Sequence, residues 1–256
     1  MKKRVIAAAL GALCLAPATH ADTLLGLYAG AQGWNTSTSG GFSETSNTAD
    51  FDFDSSTNAS VYVAFEHFVP LVPNVKVNYL QLDTDGVTNL NAAFEFEGTV
   101  YEANTSLLTD ASIDSADLIL YYEIFDNDLV SFDIGVNGKY IDGTFYVEDV
   151  DSGESGEASF KGIIPMAYSR VEFGLPFTGL GVYAEGSYLS FDDHEVRDIQ
   201  AALTYSFVEN LAIDMTLQVG YRDITVDIED LDDIYADLGF DGVFAGLEIH
   251  FQYFKI

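Results

Sequence analysis

The chain has 256 residues, with 41 Asp and Glu against 10 Lys and Arg, a formal net charge of −31, and a single Cys. The acid excess excludes nucleic acid as a natural partner, because phosphate binding needs clustered Lys and Arg. One Cys allows no internal disulfide.

In chain order the first element is a leader, MKKRVIAAALGALCLAPATHADT. Lys2, Lys3 and Arg4 form a basic start, and residues 5–16 are apolar but too few to span a bilayer as a helix, which takes about 20 residues. Small residues at Thr19 and Ala21 suit a signal peptidase, so a signal peptide is expected over 1–21 and a mature start at Asp22. Cys14 lies inside the leader behind Leu13, which argues against a lipoprotein. Three of the basic residues leave with the leader, so the mature chain is more acidic still, as suits a salty or divalent-rich exterior. No Pro- or Ser-rich linker interrupts residues 22–256, and one domain is expected there.

Beyond the leader the texture is alternation of period two, which predicts strands with unlike faces. Leu25, Leu27, Ala29 and Ala31 alternate with Gly26, Tyr28, Gly30 and Gln32. Val61, Val63 and Phe65 alternate with Tyr62, Ala64 and Glu66, and Val75, Val77 and Tyr79 with Lys76 and Asn78. Further strands follow at 118–124 and 130–136. The next, 161–173, carries Pro165, which removes a ladder donor and predicts a strand start or an irregularity. Strands at 180–188 and 199–207 come next. The clearest is LAIDMTLQVGYRD (211–223), whose apolar run has the length of a tilted membrane strand, about 9–11 residues. GVFAGLEIHFQYFKI (242–256) is the last, with Leu247, Ile249, Phe251 and Tyr253 on one face and Glu248, His250 and Gln252 on the other.

Short connections are read at 69–74, 125–128, 174–179 and 208–210, and longer, mostly acidic ones at 35–57, 83–115, 142–159, 192–195 and 227–240. Short and long alternate, the asymmetry of an outer-membrane barrel. Aromatic residues gather at strand ends, with Trp34, Tyr79, Tyr140, Phe191 and Tyr221 near the long loops and Phe65, Phe173, Phe177, Phe207 and Tyr253 near the short turns, as two interfacial belts would. A soluble sandwich or lipocalin-like barrel also alternates, but its interior needs interdigitating apolar side chains, and here the polar face is rich in small and charged residues. The expected fold is all-β: a ten-stranded antiparallel transmembrane β-barrel, with eight strands as the alternative. The sheet must close, since every backbone group in lipid has to be paired. An even count puts both termini on the periplasmic side of the bacterial outer membrane.

With the stretches LLGLYAGAQGW (24–34), DLILYYEIFDNDLVSFDIGVNGKYIDG (117–143) and GVFAGLEIHF (242–251), the chain resembles the small proteobacterial outer-membrane barrels of the OmpW-, OmpX- and OmpA-like group. The last stretch is similar to the signal read by the barrel-assembly machinery, carried here by Gly246, Ile249 and Phe251. It departs from that pattern in having Phe244 where a polar residue is usual and QYFKI after the aromatic. The resemblance implies partners in lipid, lipopolysaccharide and the assembly machinery. It fixes no activity, since the group includes pores, adhesins, anchors and a few enzymes.

Several constellations are candidates for chemistry. Asp83 with Asp85, and Asp192 with His194, have the spacings found in the outer-membrane omptin proteases, where an acid pair and an Asp-oriented His would activate a water; solvated loop carboxylates are the plainer reading. His67 and His250 could serve an acyl hydrolase, but no Gly-x-Ser-x-Gly elbow exists. On lumen-facing parity lie Glu66, Lys76, Glu123, Asp133, Lys139, Arg170, Glu172, Glu185, Asp214, Arg222 and Glu248, which must be paired or hydrated. They predict either a salt-bridged plug or a narrow cation-preferring channel. The acidic runs 146–157 and 223–239 lack EF-hand spacing, so no cofactor or metal site is expected beyond loosely bound Ca²⁺ or Mg²⁺ shared with lipopolysaccharide. The expectation is a structural or small-solute-passing outer-membrane protein rather than an enzyme. An omptin-like protease or other hydrolase, and a surface-binding protein acting through loops 35–57 and 83–115, are the alternatives.

Overall fold

The computed structural model describes residues 23–44, 49–127, 129–191, 194–210, 212–231 and 234–255. The leader 1–21, with the cleavage site before Asp22, lies outside them. The strands are β1 (Thr23–Ser43), β2 (Ala49–Asp50), β3 (Ser56–His67), β4 (Asn74–Asn89), β5 (Phe94–Phe96), β6 (Thr99–Tyr101), β7 (Ser106–Asn127), β8 (Val130–Asp149), β9 (Ser155–Leu175), β10 (Leu180–Phe191), β11 (His194–Glu209), β12 (Ile213–Leu231) and β13 (Ile234–Lys255). Ten of them close a barrel in the order β1, β3, β4, β7, β8, β9, β10, β11, β12, β13, every neighbour antiparallel, and β13 returns to pair with β1 from Thr23↔Lys255 to Ser43↔Tyr235. The ten predicted strands are these ten.

The long connections are corrected. β7 has 22 residues, about 70 Å at a rise near 3.3 Å per residue, while the hydrocarbon of a bilayer is about 30 Å thick. Most of what reads as acidic loop at 35–57, 83–115, 142–159 and 227–240 is strand that rises beyond the membrane. The real excursions are short: β2 folds onto β1 at Gly41↔Asp50, and the β5–β6 hairpin lies between β4 and β7.

β8 shows why. Phe132, Ile134, Val136 and Tyr140 point outward and are exposed, and after Tyr140 the outward positions become polar, beginning with Asp142. Inward, β8 carries Asp133, Asn137 and Lys139 and then, at the same level, turns apolar with Ile141, Phe145 and Val147. β12 repeats the change: Leu217, Val219 and Tyr221 outward give way to Asp223, while inward Gln218 and Arg222 give way to Ile224, Val226 and Ile228. Both faces invert polarity at one height. Below it the barrel is apolar outside and polar inside, as lipid demands. Above it the barrel is polar outside and packed with apolar side chains inside, as water demands.

That upper interior is a true core. Phe42 stacks on Phe145 at 4.0 Å, Phe145 on Phe160 at 5.0 Å, and the hairpin drops Phe96 against Phe42 at 5.5 Å. Phe42, Phe96, Phe145, Leu238 and Phe240 are fully buried. Gly143 makes room for Phe160, whose ring would lie 2.3 Å from a Cβ there. Trp34 is a second correction: it is 2% exposed inside the barrel, under the guanidinium of Arg222 at 5.5 Å, and not in the outer belt. Tyr79, Tyr140, Phe191 and Tyr221 do face outward at the long-loop edge, as do Phe65, Phe173, Phe177 and Phe207 at the short-turn edge. The side chain of Tyr253 lies outside the described residues. Pro165 is not at a strand start but beside an irregularity: it sits inside β9 opposite Gly138 of β8, two residues past Ala167↔Tyr188, where the ladder with β10 ends.

Candidate functional site

All eleven charges assigned to the lumen by parity line the interior, and the geometry sorts them into two groups. The four basic residues share one band at mid-height. Lys139 Nζ lies 2.9 Å from Asp117 Oδ1 and 3.2 Å from Asp198 Oδ2. Arg222 donates to both oxygens of Asp198, from Nε at 2.9 Å and Nη2 at 2.8 Å. Lys76 meets Glu185 at 2.5 Å, and Arg170 bridges Glu185 at 2.8 Å and Glu172 at 2.7 Å. Asn78 and Asn137 donate to the remaining lone pairs of Asp117. The band is therefore neutral, four cations with four carboxylates, and each of the eight charged groups is ion-paired, which is the condition for burying charge.

Asp117 and Asp198 are essential to this band, and neither was picked out from sequence. Both lie one step outside the apolar runs used to set parity, at 118–124 and 199–207. Carrying the same parity back by one residue places each of them inside.

Beside the ion pairs a neutral amide and phenol cluster fills the rest of the section. Gln32 donates to Gln218 at 3.1 Å, Tyr183 donates to the same Gln218 oxygen at 3.2 Å, and Ser60 donates to Gln32 at 3.2 Å. A cavity among these groups measures about 30 Å³, room for a single water. Directly above lies the aromatic core. Among the described residues the interior is occupied by two successive layers of different chemistry, the ion-pair band and the aromatic core.

Below the band, toward the short turns, the barrel opens into a cavity of about 690 Å³ lined by β-strand residues including Tyr28, Tyr62, Glu66, Glu123, Asp126, Asp133, Asp214, Glu248 and His250, and by Asn210 in the connection after β11. Gly30 permits this shape, since a Cβ there would fall 2.3 Å from the Tyr62 ring. Tyr62 donates to Glu248 at 2.5 Å, Tyr121 to Glu66 at 2.7 Å and Asn74 to Glu123 at 3.2 Å. His250 stacks on Tyr28 at 3.9 Å with Nδ1 3.6 Å from Asp214. The acid excess read from the sequence is thus not spread along the lumen. It is concentrated in this vestibule.

Among the described residues the members of the protease constellation do not come together. β4 and β11 stand on opposite sides of the ring, five strands apart either way. Asp83 and Asp85 fall on the outward face of β4, and Asp83 accepts from Ser112 at 2.6 Å on that surface. The lumen between them and His194 at the start of β11 is filled by the aromatic core. Asp192 lies outside the described residues. His67 and His250 line the same cavity, on β3 and β13. Gly246, Ile249 and Phe251 lie on β13; Phe251 pairs with Leu27 and Ile213 and shares the outward face, as its alternation predicts. Among the described residues no group of three or more His, Cys, Asp or Glu is placed to hold a metal ion.

A closed antiparallel barrel with an apolar outer band between aromatic edges and a charged, paired interior defines the class: a transmembrane β-barrel, the architecture of outer-membrane proteins. No protein-family model and no curated protein matches the chain. Among solved structures it is similar to the outer membrane protease OmpT from Escherichia coli (8% identity over 89% of this chain and 97% of that one, TM-score 0.47) and the transport unit of the autotransporter AIDA-I from Escherichia coli (8%, 94% of each chain, 0.44). It is also similar to Ail, the attachment invasion locus protein of Yersinia pestis (12%, 86% and 97%, 0.37). At these scores the likenesses carry no argument about activity.

Proposed function

We propose that this chain is a non-conducting, structural barrel of the bacterial outer membrane, in the broad OmpW-, OmpX- and OmpA-like group, and not an enzyme. The observation that carries it is the double closure of the lumen, a neutral ion-pair band below an aromatic core. A narrow cation channel would need a continuous hydrated path lined by unpaired carboxylates, and the unpaired carboxylates stop at the band. The outward face of Asp83 and Asp85, across the ring from His194, speaks against a protease. Both termini and the short turns are assigned to the periplasmic side, with the acidic rim outside, beside lipopolysaccharide and its divalent ions. Gly246, Ile249 and Phe251 are assigned to recognition by the barrel-assembly machinery.

Planar-bilayer recording tests the closed lumen. The purified chain should insert without conductance steps, and so should a variant lacking the β5–β6 hairpin, because the band beneath stays intact. Discrete cation-selective steps from the unmodified chain would overturn the reading.

A further inference from the structure

The vestibule has more negative charge than its own structure can use. Lys76 and Arg170 touch its upper edge but are committed to Glu185 and Glu172. Among the described residues Glu66, Glu123 and Asp133 make no ion pair: Glu66 accepts from Tyr121, Glu123 accepts from Asn74, and Asp133 stands across the ladder from Arg170, whose guanidinium is held by Glu172 and Glu185. Asp133 is only 6% exposed, lines the cavity, and its Oδ1 accepts no hydrogen bond. A carboxylate oxygen left so is costly to bury, and the residue that carries it stands in the cavity wall. The walls between the acids are aromatic: Tyr28, and Tyr121 beside Tyr168 with centroids 5.9 Å apart. Ring faces and carboxylates together attract organic cations.

We propose that this cavity is a binding site for a small organic polyammonium, an aliphatic diamine or triamine, entering from the short-turn end. A metal ion needs several oxygens converging on one point, and no such convergence is found among the described residues. A flexible chain with ammonium groups at intervals can instead reach separate carboxylates while its methylenes lie along the tyrosines. The volume, about 690 Å³, is of the size that encloses small molecules, about 300–1,000 Å³.

The test is calorimetric titration of the full chain in detergent with spermidine at fixed ionic strength. Saturable binding at one site is expected, weakened at least about tenfold by Asp133→Asn or by Glu123→Gln, as removal of a charged hydrogen-bond acceptor implies. Asp85→Asn, on the outer surface, should leave it unchanged. Should Asp133→Asn fail to fold, Glu123→Gln, whose side chain is exposed to the cavity, carries the same expectation. Absence of saturable heat, equal weakening by Asp85→Asn, or equally effective binding of Mg²⁺ would overturn the site and leave only a diffuse counterion atmosphere. Because binding is read without current, it stands or falls separately from the closure of the lumen.

Discussion

Asp198 holds two cations at once, Arg222 by both its oxygens and Lys139 by one, and all three side chains are buried. Removing one partner of such a pair leaves an uncompensated charge, which costs far more than the pair contributes net. Asp198→Ala should therefore destabilise the folded barrel by about 3–5 kcal/mol, read by urea unfolding in lipid vesicles. Replacing Arg222, Lys139, Asp117 and Asp198 together by apolar residues of matching volume should cost much less; an equal loss would mean that the band is held by packing and not by charge balance. The inward placement of these residues was legible from alternation alone. Their pairing was not, because Asp117, Lys139, Asp198 and Arg222 come from β7, β8, β11 and β12, and only closure of the sheet sets them around one point.

At the scale of the strand, the inversion of polarity is the feature that sequence hides. On β12 the apolar positions are odd through Tyr221 and even from Ile224 onward, while the strand itself does not break. A reader following one apolar stripe sees it end at Tyr221 and takes the acidic remainder for loop. The backbone ladder nevertheless continues: Ile224↔Phe240 and Val226↔Leu238 on one side, Asp198↔Ile224 on the other. Amide hydrogen exchange should distinguish the two pictures. Residues 222–228 of β12 and 80–86 of β4 should be protected to the same order as the membrane-embedded pairs, since their bonds are covered by the aromatic core. Exchange at the rate of open loops would contradict the extended rim. Phe145→Ala should selectively release this protection while the embedded band keeps its own, because it opens a cavity only in the upper layer.

For the whole molecule, charge is the term that acts against the fold. The net charge of −31 repels itself, and the rim sets carboxylates directly opposite one another: Asp85↔Asp110, Asp114↔Asp142 and Asp227↔Asp237. Facing like charges destabilise a sheet. Burial first, and then Asp85 and Asp83, hold the Asp110 carboxyl above its ordinary value of 3.8. A group that binds its proton more tightly when folded makes stability fall as pH rises between the ordinary value and the raised one. Asp110→Asn should thus stabilise the rim at pH 7 by roughly 0.5 kcal/mol. That gain should shrink as pH falls toward 4 and as salt rises, since the repulsion is screened over about 10 Å at 0.1 M. Unfolding curves of both chains across pH and ionic strength check this; a gain independent of both would mean that the substitution acts through packing.

Period-two alternation by itself determined ten strands, their membrane faces, the inward set of eleven charges and the outward face of the closing strand. It could do so because lipid outside and a polar lumen inside leave opposite chemical marks on successive residues. Only the tertiary structure decided how those strands were used. It carried them past the membrane and reversed their faces, because the upper barrel is solvated outside and must bury its apolar side chains within. It gathered every interior cation into one neutral band and left the surplus acids in the vestibule. It also sent Asp83 and Asp85 outward, away from His194, because which side of the sheet a residue faces and which strand stands across the ring are properties of the closed barrel and not of spacing along the chain.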